Sequence, residues 1–124
     1  AENLEPLLGA GLIEAIDGEV EVVPGVRVLP TPGHSRGHLS VLIDSGGEKA
    51  LFLGDVVPTS VHVRLPWLMA YDLDVETTLA TKKSLYARAL AEDWLLLFGH
   101  DRRHGTHLAL DERGDAMAGP LIDL

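Results

Sequence analysis

Three apolar stretches in this chain each run into a glycine that is followed at once by a side chain able to hold a cation. Val26–Pro30 leads to Gly33-His34, residues 50–53 lead to Gly54-Asp55, and residues 94–98 lead to Gly99-His100. Each stretch has the length and aliphatic content of a buried or half-buried strand. Glycine just past a strand lets the backbone turn sharply and pass close to other atoms at low steric cost. The chain therefore has to place three strand ends so that their turns either share one edge of a sheet or stand apart as unrelated loops.

The rest of the pattern supplies the frame. Residues 2–8 predict a short helix stopped by Gly9 and Gly11, and Val20–Val23 and Val26–Pro30 flank Pro24-Gly25 as a hairpin. Residues 39–43 and 50–53 predict two further strands around the turn residues Asp44-Ser45-Gly46-Gly47. Residues 56–73 show no period and read as a long ordered loop. Asp74 is a good N-cap, and residues 75–91 predict the one long helix, with Val75, Leu79, Tyr86 and Leu90 facing the core and Lys82 and Lys83 on the other side. Residues 94–98 predict a buried strand, and residues 107–110 with those after Gly114 predict a closing hairpin. Strands, a long helix and strands again give an α/β or α+β domain.

Composition removes several kinds of partner. The formal charge of −9 repels nucleic acid, and Arg102-Arg103-His104 is too short a basic run to offset it. The absence of cysteine rules out disulfides, thiolate ligands and a cysteine nucleophile. Residues 1–5 lack the basic and apolar regions of a signal peptide, and no apolar run approaches membrane-spanning length, so the expectation is a cytoplasmic protein without a membrane partner.

Two imidazoles and a carboxylate at strand ends suit zinc, manganese or iron, and a carboxylate can bridge two metals through its two oxygens. The alternative is three independent turn residues, with Asp55 as a cap and the histidines on the surface. Equivalent placement of all three favours the metal.

Thr31-Pro32-Gly33-His34-Ser35-Arg36-Gly37-His38 resembles the second metal-binding motif of the metallo-β-lactamase superfamily, as found in glyoxalase II and N-acyl homoserine lactone lactonases. Leu53-Gly54-Asp55, 21 residues after His34, and Gly99-His100, 45 residues further on, resemble its next and last motifs. The lead-in Glu21 to Val26, Val57-Pro58-Thr59 and Trp67-Leu68-Met69-Ala70-Tyr71-Asp72 also resemble lactonase-like members. The resemblance implies an αββα sandwich with a metal pair at the edge of two sheets, of which this chain is the C-terminal half, with mostly antiparallel or mixed sheet. It implies that His34 binds one metal, His100 the other, that Asp55 bridges them and orients the nucleophile, and that His38 bonds the surrounding loop. The implied reaction is hydrolysis of an ester, lactone or thioester by a metal-bound hydroxide.

The departure from the family is the lack of its His-x-His-x-Asp-His motif, which supplies four ligands. The expectation is a single partial domain over residues 1–124, needing a missing N-terminal half or a homodimer partner to complete the site and cover its sheet. His100, His104 and His107 are close in sequence, but Gly105 points to a solvated loop rather than a metal-binding helix. Lactonases of this family often carry a tyrosine three residues after the bridging Asp; Pro58 stands there, which argues against homoserine-lactone specificity. His62 in the long loop is a candidate substrate contact, Trp67, Met69 and Tyr71 are expected to pack on the core, and Asp101 is expected to orient His100 or cap a turn. Competing readings are a non-catalytic fragment or subunit, and an iron-containing oxidoreductase relative.

Overall fold

The computed structural model describes residues 4–102 and 105–123 of the chain. The helix α1 (Glu5–Gly9) precedes a hairpin of β1 (Val20–Val23) and β2 (Val26–Pro30), then β3 (Leu39–Ser45) and β4 (Glu48–Phe52). The long helix α2 (Val75–Glu92) follows, then β5 (Leu95–Leu97), β6 (Gly105–Leu110) and β7 (Ala116–Ala118). The strands lie side by side in chain order as a seven-stranded sheet. All neighbours are antiparallel except β4 and β5, which run parallel because α2 carries the chain across from one to the other. The α+β class and the mixed sheet agree with the sequence. The loop between β4 and α2 contains two 3-10 turns, Gly54–Val56 and Ser60–Val63. No helix among the described residues is long and apolar enough to cross a membrane.

The pleat sends alternate side chains to opposite faces. Leu29, Ser40, Leu42, Leu51, Leu96 and Thr106 occupy one face and are buried, packing with Leu85, Tyr86 and Ala89 of α2 and with Trp94 and Phe98. The Asp74 carboxylate starts α2 by accepting the Thr77 amide at 3.0 Å, and Asp93 ends it in the left-handed region at φ 53°. The inner face of α2 differs from the sequence reading. Thr78, Lys82, Leu85, Tyr86 and Ala89 are buried, whereas Val75 and Leu90 are exposed. Lys82 points inward and Leu90 outward because α2 lies over polar loop backbone at its N-terminal end, which rewards a donor there rather than a hydrocarbon. Trp67 and Tyr71 likewise stand in solvent, not on the core.

The opposite sheet face is apolar and open. Val28, Val41, Phe52 and Leu97 form one cross-strand row, and Val26, Ile43, Ala50 and Leu95 the next. Ile43 and Phe52 are 40% and 41% exposed, far more than their counterparts beneath α2, so the described residues leave this face uncovered.

Leu51 is wholly buried at the centre of the α2 side. Leu51→Ala is expected to lower stability by about 2–5 kcal/mol in urea unfolding, through lost burial and the cavity left behind. The Asp74 pKa is lowered, chiefly by the Thr77 amide, so its contribution is present above the ordinary value of 3.8 and lost as pH falls below it. Asp74→Ala is expected to lower the Tm at neutral pH and flatten the acid limb of a stability–pH curve.

Candidate metal centre

The convergence of the three glycine-led turns follows from strand direction. β2 and β4 are both antiparallel to β3, and β5 is parallel to β4, so all three strands end at the same edge of the sheet. Their turns bring His34, Asp55 and His100 together. Nε2 of His100 lies 2.9 Å from Asp55 Oδ1, and Nε2 of His34 lies 3.7 Å from Asp55 Oδ2. One carboxylate thus presents one oxygen to each imidazole. Among the described residues no group of three or more His, Cys, Asp or Glu side chains is arranged to hold a metal ion; His34 and His100 each meet Asp55 separately.

His34 is oriented from behind. Its Nδ1 lies 3.1 Å from Oδ1 of Asp72, whose side chain is 1% exposed. A carboxylate only accepts, so Nδ1 carries a proton and donates it to Asp72, which turns the Nε2 edge of the ring towards Asp55. A buried carboxylate that fixes the tautomer and aim of an imidazole is the usual support of a metal-ligating histidine. Asp72 in turn accepts the Met69 amide at 3.2 Å. The sequence reading placed Asp72 in a family-like segment without giving it a role; its signal was the acidic residue closing the loop just before the helix cap.

His38 supports Asp55 instead of joining the cluster. The Asp55 amide donates to its Nε2 at 3.0 Å, which leaves the proton on Nδ1. A chain with one sense follows: Nδ1–H donates to Thr31 Oγ1 at 2.7 Å, Thr31 donates to Ser40 Oγ at 2.9 Å, and Ser40 donates to the Leu53 carbonyl at 3.1 Å. Both sides of Gly54 are therefore held from the β2–β3 connection. Burial pushes the His38 pKa down, with the Asp55 charge opposing, and so favours the neutral ring that this chain requires. Gly54, at φ +60°, is needed because a Cβ there would lie 2.8 Å from His38 Nε2. Gly33 is needed on the other side: a Cβ would collide with the Thr78 side chain and backbone where α2 begins.

The remaining candidates fall elsewhere. Asp101 accepts from both the amide and the hydroxyl of Ser60, at 2.9 and 2.5 Å, and the His100 amide donates to the Pro58 carbonyl at 3.1 Å. These bonds tie the His100 turn to the loop after Asp55. His62 pairs through Nδ1 with Thr59 Oγ1 at 2.7 Å, and burial, then the Lys82 charge, lowers its pKa. His107 lies on β6 and pairs with Asp93 at 3.0 Å. Arg103 and His104, and with them the basic run and the histidine triplet, lie outside the described residues.

The family model described as the metallo-beta-lactamase superfamily matches residues 4–120, and the chain belongs to that superfamily. An N-acyl homoserine lactonase of Bacillus cereus is 35% identical over 89 residues, covering 69% of this chain and 34% of the relative. The chain thus spans about a third of the length of the curated relatives it matches. A probable metal-dependent hydrolase from Staphylococcus aureus superposes with a TM-score of 0.76 at 25% identity, over 91% of this chain and 42% of its own. An N-acyl homoserine lactone hydrolase, solved with N-hexanoyl-L-homoserine bound at its catalytic metal centre, superposes with a TM-score of 0.65 at 36% identity, over 72% of this chain and 36% of its own.

Thr31 is wholly buried and is the middle link between His38 and Ser40. Thr31→Val keeps the shape and removes the hydroxyl, leaving the His38 Nδ1–H without its acceptor. The expected cost is about 1–3 kcal/mol in denaturant unfolding.

Proposed function

We propose that this chain is the C-terminal half of a metal-dependent hydrolase that cleaves an ester, lactone or thioester. The observation that carries the reading is Asp55, with one oxygen towards His34 and the other towards His100, while Asp72 aims the Nε2 edge of His34 into the same space. The donor set fits a pair of divalent metals: His34 on one, His100 on the other and Asp55 between them. Zinc suits two imidazoles and a carboxylate best, with manganese or iron as substitutes. Bound metals would activate water and polarise the scissile carbonyl. His100 Nε2–H donates to Asp55 without a metal, so binding would exchange that proton for a cation.

The chain's own residues do the positioning. His38 and the Thr31–Ser40 chain hold both sides of Gly54, Asp72 fixes the tautomer of His34, and Asp101 keeps the His100 turn against Ser60. His62, in the 3-10 turn after Asp55, is the proposed substrate contact, on its position in the loop alone. The substrate is a small molecule entering at the sheet edge. Likeness to N-acyl homoserine lactonases favours a lactone, while Pro58, in place of the tyrosine those enzymes often carry, argues for a different acyl or ring group.

The apolar sheet face supports a second part of the proposal. Two adjoining rows of aliphatic and aromatic side chains fit the inner face of another sheet. The partner is the N-terminal half of the sandwich, which would also bring the remaining metal ligands, with a second copy of this chain as the alternative cover. Elemental analysis of the whole protein containing this sequence is expected to return about two equivalents of divalent metal. His34→Ala, Asp55→Ala and His100→Ala should each lower that content, Asp55→Ala most, and abolish turnover across a panel of lactones, esters and thioesters. A metal-free whole protein would overturn the reading.

A further inference from the structure

Lys82 is fully buried, and its ammonium faces backbone. Nζ lies 2.7 Å from the His62 carbonyl, 2.7 Å from that of Arg64 and 3.0 Å from that of Trp67, with a longer approach of 3.4 Å to Leu65. An ammonium has three hydrogens to give, and here they draw the carbonyls of one short segment towards one point. Four carbonyl oxygens pointing at each other in a dry interior repel unless a cation sits among them. The segment between the Ser60–Val63 turn and Trp67 takes its shape from this single group.

That segment leads directly to the candidate metal centre. Five residues after Trp67, Asp72 is held by mutual bonds with Met69: the Asp72 amide donates to the Met69 carbonyl, and the Met69 amide to Asp72 Oδ2. Beyond it, the Leu73 and Asp74 amides donate to the His34 and Gly33 carbonyls at 3.2 and 3.0 Å. One turn of α2 therefore does two jobs: Thr81 Oγ1 donates to the Pro32 carbonyl at 2.7 Å, and Lys82 holds the far end of the loop. We infer that Lys82 is a further positioning residue of the site, fixing the 62–67 segment so that Asp72 meets His34 Nδ1. The inference rests on the Asp72–His34 pair being the support of a metal ligand, as proposed above.

Charge around Lys82 is sparse. Asp72 on the loop favours the ammonium, while His62, in the 3-10 turn, is the titratable ring nearest its carbonyl partners; Lys83, the next residue of α2, is exposed. Burial is the larger effect and lowers the Lys82 pKa to about 8. Above that pH the amine keeps two hydrogens and turns a lone pair towards a carbonyl, so the clamp loosens as pH rises.

The test uses the whole protein containing this sequence, stripped of metal, and reads the ring nitrogens of His34 by 15N NMR together with amide exchange. In the wild type, His34 should show a proton on Nδ1 hydrogen-bonded to Asp72. Lys82→Met keeps the bulk and removes the donors. It should abolish that signature and lower protection of the hydrogen-bonded His62 and Trp67 amides by about tenfold or more, with the sheet amides unchanged. Lys82→Cys, in a background cleared of any cysteine outside these residues, can be aminoethylated while denatured and refolded; the restored amine should recover both signals. A folded Lys82→Met with the His34 signature intact overturns the inference. A wild type with its proton on His34 Nε2 defeats the Asp72–His34 reading first, without recourse to any variant. If Lys82→Met does not fold, a pH series on the wild type decides: the 62–67 amides and the His34 ring moving with Lys82 Nζ near pH 8 support the clamp, and Lys82 titrating alone refutes it.

Discussion

The direction of three strands governs the rest of the molecule. Because β3 runs against both β2 and β4, and α2 returns the chain to β5 parallel with β4, the turns carrying His34, Asp55 and His100 leave the sheet at one edge. Rigid strands then aim the side chains that follow them, which is why sites in such folds collect where strands end. Nothing local to those turns would bring residues 45 positions apart within 2.9 Å.

Strand direction gives proximity, and two hydrogen-bond systems give orientation. One starts at the Asp55 amide and passes through His38, Thr31 and Ser40 to the Leu53 carbonyl. Its sense is fixed at both ends by backbone groups, so every hydroxyl proton in between has one place to go. The other runs through Asp72 to His34 from the side of α2. Buried polar groups of this kind are costly when half satisfied and rigid when complete. These are nearly complete, which holds His34 and Asp55 in one arrangement.

Much of this was legible in the letters. The glycine-led residues at the three strand ends, the Asp74 cap and the hairpin around Pro24-Gly25 all carry strong local signals, and the structure places the elements where those signals put them. The inner face of α2 was legible at Tyr86 and little else. Its stripe of Thr78, Lys82, Leu85 and Ala89 has regular helical spacing but holds one large aliphatic residue, so a hydrophobic period selects the flanking Val75, Leu79 and Leu90 instead. Lysine buries only where carbonyls converge on it, and that convergence depends on the path of a loop without periodicity. Trp67 and Tyr71 misled for the related reason that aromatic residues in a loop of this length look like anchors, yet the loop is anchored by a cation. Asp72 was hidden because its partner, His34, is 38 residues away.

The bare sheet face has a consequence for whatever covers it. α2 and the strands form a unit with its own core on one side, so a layer laid on the bare face would meet it along a plane and leave the packed interior untouched. Contact over such a plane is made by hydrocarbon alone, so lifting the layer away would wet the two apolar rows without opening the interior beneath α2.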